Sequence, residues 1–251
     1  GAALFYLLII APSGYLLIKR KSKAVLSAAL AVFVAVSAAL YNLPFDYGKT
    51  SVSAIAGGRS SLLTSENTVY YICYGKEDIE KLKEHLKKHG ISKLHCAVFS
   101  DCAAAARALP FIEEYGIEKY IMPRSDEYVN TFAETGDKIK YLDGGERYAY
   151  KSAAFTAYIL NNECFALSAE TGGLKALYLC GGGGELPDYR PDILFAPAAG
   201  DYSALQPKIT VIREYEQDNN RDFFSAARRG GLIFEIKNDR IVKRFSYGGI
   251  F

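Results

Sequence analysis

Hydrophobic and polar positions divide the chain into two regimes. Residues 2–18 ("AALFYLLIIAPSGYLLI") are apolar apart from Ser13, and residues 24–41 ("AVLSAALAVFVAVSAALY") carry no charge. Each run is near the minimum length of a membrane-crossing helix. Of the five residues between them, "KRKSK" at 19–23, four are basic. Two apolar spans joined by a basic loop predict a transmembrane hairpin with its loop in the cytoplasm, so that everything after Tyr41 lies outside. A rival reading makes "KRKSK" the start of a signal peptide and Ser37–Ala39 its cleavage site. The apolar span ahead of the lysines argues against it, and both readings export the remainder.

After a linker over 42–50, the pattern shortens to strand length. "SVSAIA" and "SSLLTS" flank a turn at Gly57-Gly58, and "TVYYICYG" is a stronger strand. "KEDIEKLKEHLKKHG" is amphipathic, with Ile79, Leu82 and Leu86 on one face and Gly90 at its close. "KLHCAVFS" reads as a buried strand, "AAAARALPFIEEYG" as a helix and "KYIMP" as a strand. Further strands are expected at "KIKYL", "YAYKSAAFTAYIL", "ECFALSAE", "LKALYLCG", "DILFAP" and "KITVIREY", then a helix at "NRDFFSAARRG" and a final pair, "GLIFEI" and "RIVKRFSY". Strands outnumber helices, and helices fall in both halves. That predicts an α/β fold of two packed sheets with helices outside, over 51–251.

Composition adds limits. With 251 residues, 50% hydrophobic, the chain can build one sizeable core beside a membrane segment. It opens on Gly1 with no methionine before the hydrophobic run, so it is expected to be part of a longer protein. Residues 1–45 hold four basic residues and no acid, so with a net charge of +2 the rest carries 2 − 4 = −2. A slightly acidic exported part excludes a strong non-specific nucleic-acid binder and leaves DNA only a local patch. Arg213, Arg221, Arg228 and Arg229, near Asn219, Asn220, Phe223 and Phe224, are that patch; a solvated helix face explains them equally. The five cysteines show no CxxC spacing, and buried unpaired thiols are the default reading. His85 and His89 have the spacing of a metal pair but no third ligand nearby, so a surface face is expected. His95 reads as a core or strand-edge histidine. "GGGG" at 181–184 lacks the Lys-Ser/Thr and the following helix of a phosphate loop.

The order of elements resembles the ComEC-type competence proteins, which carry DNA into bacteria through a membrane channel and end in a metallo-β-lactamase-like domain. The resemblance spans nearly the whole chain. The family's "DVGQGD" falls on "IAGGRS" (55–60), losing both acids, and its "LIDTG" on "YICYG", with Cys73 at the aspartate. Its "THPHADHIGGLP" falls on "FSDCAAAARALP", so the metal-ligand positions become Ser100, Cys102, Ala104 and Ala105. "LLTGD" falls on "YLCGG", placing Gly182 at a bridging aspartate. "DILKVPHHGS" falls on "DILFAPAAGD", with Ala198 and Ala199 for two histidines.

The resemblance implies an αββα metallo-β-lactamase-like sandwich behind a transmembrane hairpin, without metal ligands or another cofactor. A two-metal hydrolase needs imidazoles and carboxylates to hold its ions and activate water, so a pseudoenzyme is expected. Cys73, Cys102 and Cys180 would border the vanished site, as candidates for a disulfide or a thiolate cluster. Single-stranded or double-stranded DNA, the membrane and an upstream channel domain of the same protein are the implied partners, with a homodimer open. The implied location is the bacterial cell membrane, multi-pass, with the C-terminal domain extracellular. A membrane-tethered hydrolase or nuclease with an unconventional site, and an exported interaction domain unrelated to DNA, are the alternatives.

Overall fold

Alternation of side chains along β-strands builds two sheets in a computed structural model that describes residues 49–55, 59–75, 78–125, 132, 136–160, 163–181, 187–198, 200–212, 223–225, 232–237 and 240–245. The apolar runs of residues 2–18 and 24–41 lie outside the described residues, as do Arg213, Arg221, Arg228, Arg229, Gly182 and Ala199. Among the described residues no helix is long and apolar enough to cross a membrane.

The first three strands, β1 (Ser51–Ala54), β2 (Ser60–Ser65) and β3 (Thr68–Cys73), are antiparallel neighbours. Helix α1 (Ile79–Lys88) follows, started by Asp78, whose carboxylate accepts from the Lys81 N–H at 3.1 Å, and ended by Gly90 at φ +64°. Strand β4 (Cys96–Phe99) then lies parallel to β3. Helix α2 (Cys102–Ile112) and a 3-10 turn (Glu113–Tyr115) lead to β5 (Lys119–Pro123), and β6 (Ile139–Leu142) pairs with it. The second sheet comprises β7 (Arg147–Tyr150), β8 (Ala153–Leu160), β9 (Glu163–Thr171), β10 (Leu174–Leu179), β11 (Ile193–Ala196), β12 (Ile209–Ile212) and β13 (Phe223–Ser225). Strands β14 (Leu232–Lys237) and β15 (Arg240–Phe245) return to the first sheet. Its order is β15-β14-β1-β2-β3-β4-β5-β6, and that of the second is β13-β12-β11-β10-β9-β8-β7.

Tyr70, Ile72, Val98 and Ile121 of the first sheet meet Phe155, Leu167, Tyr178 and Phe195 of the second in a buried core. The alternate residues of the first sheet, Tyr71, Cys73, Ala97 and Phe99, pack under α1 and α2. The Tyr70 hydroxyl clamps one end of the sandwich, donating to the Tyr150 carbonyl at 3.0 Å and accepting from the Ser152 N–H at 3.1 Å. On the outer face of the second sheet, Leu177, Leu194 and Ala196 pack with Leu205 of a 3-10 turn (Ser203–Leu205). Among the described residues no α-helix covers that face, so the expected αββα layering is present here as helices on one side.

Three expectations change. "YAYKSAAFTAYIL" is a hairpin rather than one strand, because Lys151 adopts φ +51° and turns β7 back onto β8. Within "NRDFFSAARRG", Phe223–Ser225 form a strand parallel to β12 instead of a helix. Aromatic residues beside an available strand edge favour pairing over local helix propensity. His85 is buried rather than on a surface face, because α1 turns it onto β1, where its Nε2 hydrogen-bonds the Ser53 hydroxyl at 3.2 Å.

Candidate functional site

The carboxyl ends of β3, β4 and β10 converge at one end of the sandwich, a usual place for chemistry in α/β folds. Arg59 and Tyr74 are joined through backbone, with the Tyr74 N–H donating to the Arg59 carbonyl at 2.9 Å. Ser100 is fixed in the same way, its N–H donating to the Cys73 carbonyl at 2.9 Å. The Arg59 side chain then crosses between the sheets, and Nη2 donates to the Leu179 carbonyl at 2.6 Å. Its guanidinium stands 5.9 Å from the Tyr74 ring centroid. Tyr74 in turn packs on Tyr178, 5.0 Å between centroids, and Tyr178 stacks on Phe195 at 4.6 Å.

Two glycines make room for this arginine. A Cβ on Gly75 would lie 2.7 Å from the Arg59 Cδ and 2.9 Å from Nε. Gly181, at φ +111°, exposes its backbone beside Nη1. Arg59 Nε is buried without a hydrogen-bond partner, and the buried Tyr178 hydroxyl pairs with that of Ser61. Burial pushes the Tyr74 and Tyr178 hydroxyls above their ordinary range, so both stay protonated.

The described positions marked out by the sequence motif are taken up in local contacts, with Ser100 beside Cys73 and Cys180. Asp101 caps α2, its carboxylate accepting from the Ala104 N–H at 2.6 Å and from the Ser100 hydroxyl at 3.4 Å. The helix thus begins inside the motif, and Ala104 and Ala105, 2% and 0% exposed, pack in the helix-side cluster. Cys102 points elsewhere, its thiol donating to the Pro123 carbonyl at 3.1 Å. Ala198 is half-buried, and its carbonyl accepts from the Tyr202 hydroxyl at 2.8 Å.

Nor does the fold bring Cys73, Cys102 and Cys180 together. Strand alternation puts Cys73 on the helix side with Cys102, whereas Cys180 packs against the inter-sheet core. All five cysteines are free. Cys180 lies instead beside Cys164, because a bulge in β8–β9 pairing between Tyr158 and Ile159 shifts the register that carries Cys164. The Cys164 thiol, then burial, raise Cys180 well above the ordinary thiol value. Burial raises Cys73 to about 12 and Cys102 to about 11, so these two are thiols and not thiolate ligands near neutral pH.

The described residues at the motif positions, Ser100, Cys102, Ala104, Ala105 and Ala198, therefore do not fit a dinuclear metal centre. Alanine has no lone pair to offer, and the two thiols are protonated and committed to carbonyls. Among the described residues no group of three or more His, Cys, Asp or Glu side chains converges enough to hold an ion. What the motif could not reveal is Arg59. The visible signal was a single cation among glycines, in a segment read for the acids it had lost.

No protein-family model matches the sequence, and no curated protein does. Solved structures do resemble the chain. CmlA, a diiron beta-hydroxylase from Streptomyces venezuelae, is similar at TM-score 0.50 and 8% identity, over 65% of this chain and 44% of that one. Igni18, a metallo hydrolase from Ignicoccus hospitalis, gives 0.49 at 13% identity, over 65% and 82% of the two chains. YhfI, a metallo-beta-lactamase fold protein from Bacillus subtilis, gives 0.47 at 12% identity, over 64% and 85%. At such identities the likeness concerns fold alone. Two mixed sheets with few helices fit a metallo-β-lactamase-like α/β sandwich.

Proposed function

We propose that the chain is the C-terminal part of a ComEC-type DNA-uptake protein, with residues 51–251 an exported, non-catalytic module beside the channel. The carrying observation is that Ala104 and Ala105, which the resemblance puts at metal-ligand positions, are built into α2 and buried against the first sheet. A scaffold that keeps its strands while packing alanine at those positions has exchanged chemistry for structure. The order of the matching segments behind the apolar spans supports the competence assignment. The module's partners are DNA in transit, the membrane, the upstream channel and, in a homodimer, a second copy. The setting is a bacterial cell membrane with this module on the extracellular side. Deleting the codons for residues 51–251 from the chromosomal gene tests the role. Uptake of labelled DNA should fall while the upstream part still reaches the membrane; unchanged uptake refutes it.

A further inference from the structure

We propose that Cys164 and Cys180 are a reversible redox couple, which exchange with a disulfide oxidant closes into a cross-strand bond between β9 and the end of β10. The inference goes beyond the DNA-uptake reading and does not depend on it.

A bulge brings the two thiols to one face. Tyr158 pairs with Ala166 and Ile159 with Cys164, so Phe165 is an extra residue on β9. Phe165 and Ala166 both join the outer cluster, with the Phe165 ring 6.4 Å from that of Tyr158. Cys164 is thereby turned inward and packs, like Ile159, against the inter-sheet core. Regular alternation would have left it on the outer face with Ala166, two residues on. Cys180 reaches the inner face by plain alternation after Ala176 and Tyr178. Its N–H donates to the Phe165 carbonyl at 2.9 Å, which seats it beside residue 164. The two thiols are in hydrogen-bonding contact.

Exposure singles out the same pair. Cys73, Cys96 and Cys102 are buried, whereas Cys164 and Cys180 are partly exposed. Cys164 is the second residue of β9, and Cys180 is the first after β10. Each stands at a strand end, where a small backbone shift can meet the geometry of a disulfide. The Cys164 thiolate attacks one sulfur of the oxidant and releases the other half as a thiolate. The Cys180 thiolate then attacks the Cys164 sulfur of the mixed disulfide and releases the second half. Two protein S–H bonds are lost and one S–S bond forms, while the oxidant takes both electrons and both protons and leaves as two thiols. Contact with Cys164 is the first cause that keeps Cys180 protonated, and capture of Cys164 removes it. The Arg59 charge and the Ser100 hydroxyl then favour the attacking thiolate.

The test treats the folded full chain in detergent, reduced and then freed of reductant, with oxidised glutathione before alkylation in denaturant. The count of alkylated thiols should fall from five to three. Mass spectrometry should find the peptides of Cys164 and Cys180 joined, and dithiothreitol should restore all five thiols. In Cys180→Ser, Cys164 should instead keep a glutathione adduct, because the thiol that resolves it is gone. The wild-type count and peptide map stand without the variant. Five thiols after treatment, a joined pair other than Cys164 and Cys180, or a lasting glutathione adduct on wild-type Cys164 overturns the proposal. So does an unmodified Cys164 in Cys180→Ser.

Discussion

Replacing Ala105 with histidine would restore a ligand type at a position where the resemblance expects one. Ala105 is 0% exposed and belongs to the helix-side cluster together with Phe99, Ala108 and Leu109. An imidazole there overpacks the interface, at a cost of about 1–3 kcal/mol. Its ring nitrogens would be buried without partners, for about 1–3 kcal/mol more. The sum, about 2–6 kcal/mol, is a large part of the roughly 5–15 kcal/mol that holds a domain together. Ala103→His, on the partly exposed side of α2, should cost under about 1 kcal/mol. Urea unfolding followed by far-UV ellipticity measures both, and zinc should not raise the Ala105→His midpoint. A midpoint near wild type that zinc raises further would refute the reasoning, because it requires an open pocket at that position.

His85 should make stability depend on pH. Burial, reinforced by His89 and Lys88, holds its pKa at about 3, below the 6.5 of an exposed histidine. The unfolded chain therefore binds the extra proton first, and stability is lost as pH falls from about 6.5 towards 3, reaching about 2 kcal/mol at pH 5. His85→Leu should flatten that slope in unfolding curves taken across the window. Tyr70→Phe strips the Tyr150 carbonyl and Ser152 N–H of their shared partner and should lower stability by about 1–3 kcal/mol in urea. Thiol titration under denaturing, non-reducing conditions should find all five cysteines reactive, whereas a shortfall of two would show a disulfide.

Much of the fold was legible because its signals are local. Helix α1 follows from the spacing of Ile79, Leu82 and Leu86, and its close from Gly90. The strands follow from short apolar runs. The misreadings share a different cause, which is that long-range contact decided the local structure. Lys151 takes a left-handed turn that its residue type does not advertise. Phe223–Ser225 became a strand because β12 offers a parallel edge. His85 is buried because β1 lies over it. At the site, the sequence displays Ala104 and Ala105 where the resemblance expects ligands, but not their burial under the first sheet. The role of Arg59 was invisible, since its acceptor on Leu179 is 120 residues away in sequence.

We propose that the motif positions of this sandwich hold no metal ion, the end where β3, β4 and β10 converge being built around the Arg59 guanidinium. Its most direct test is the metal content of the chain, purified without chelator, equilibrated with zinc and manganese, and passed through a desalting column before mass-spectrometric metal analysis. Far less than stoichiometric metal is expected. Stoichiometric zinc or manganese that survives desalting would contradict it.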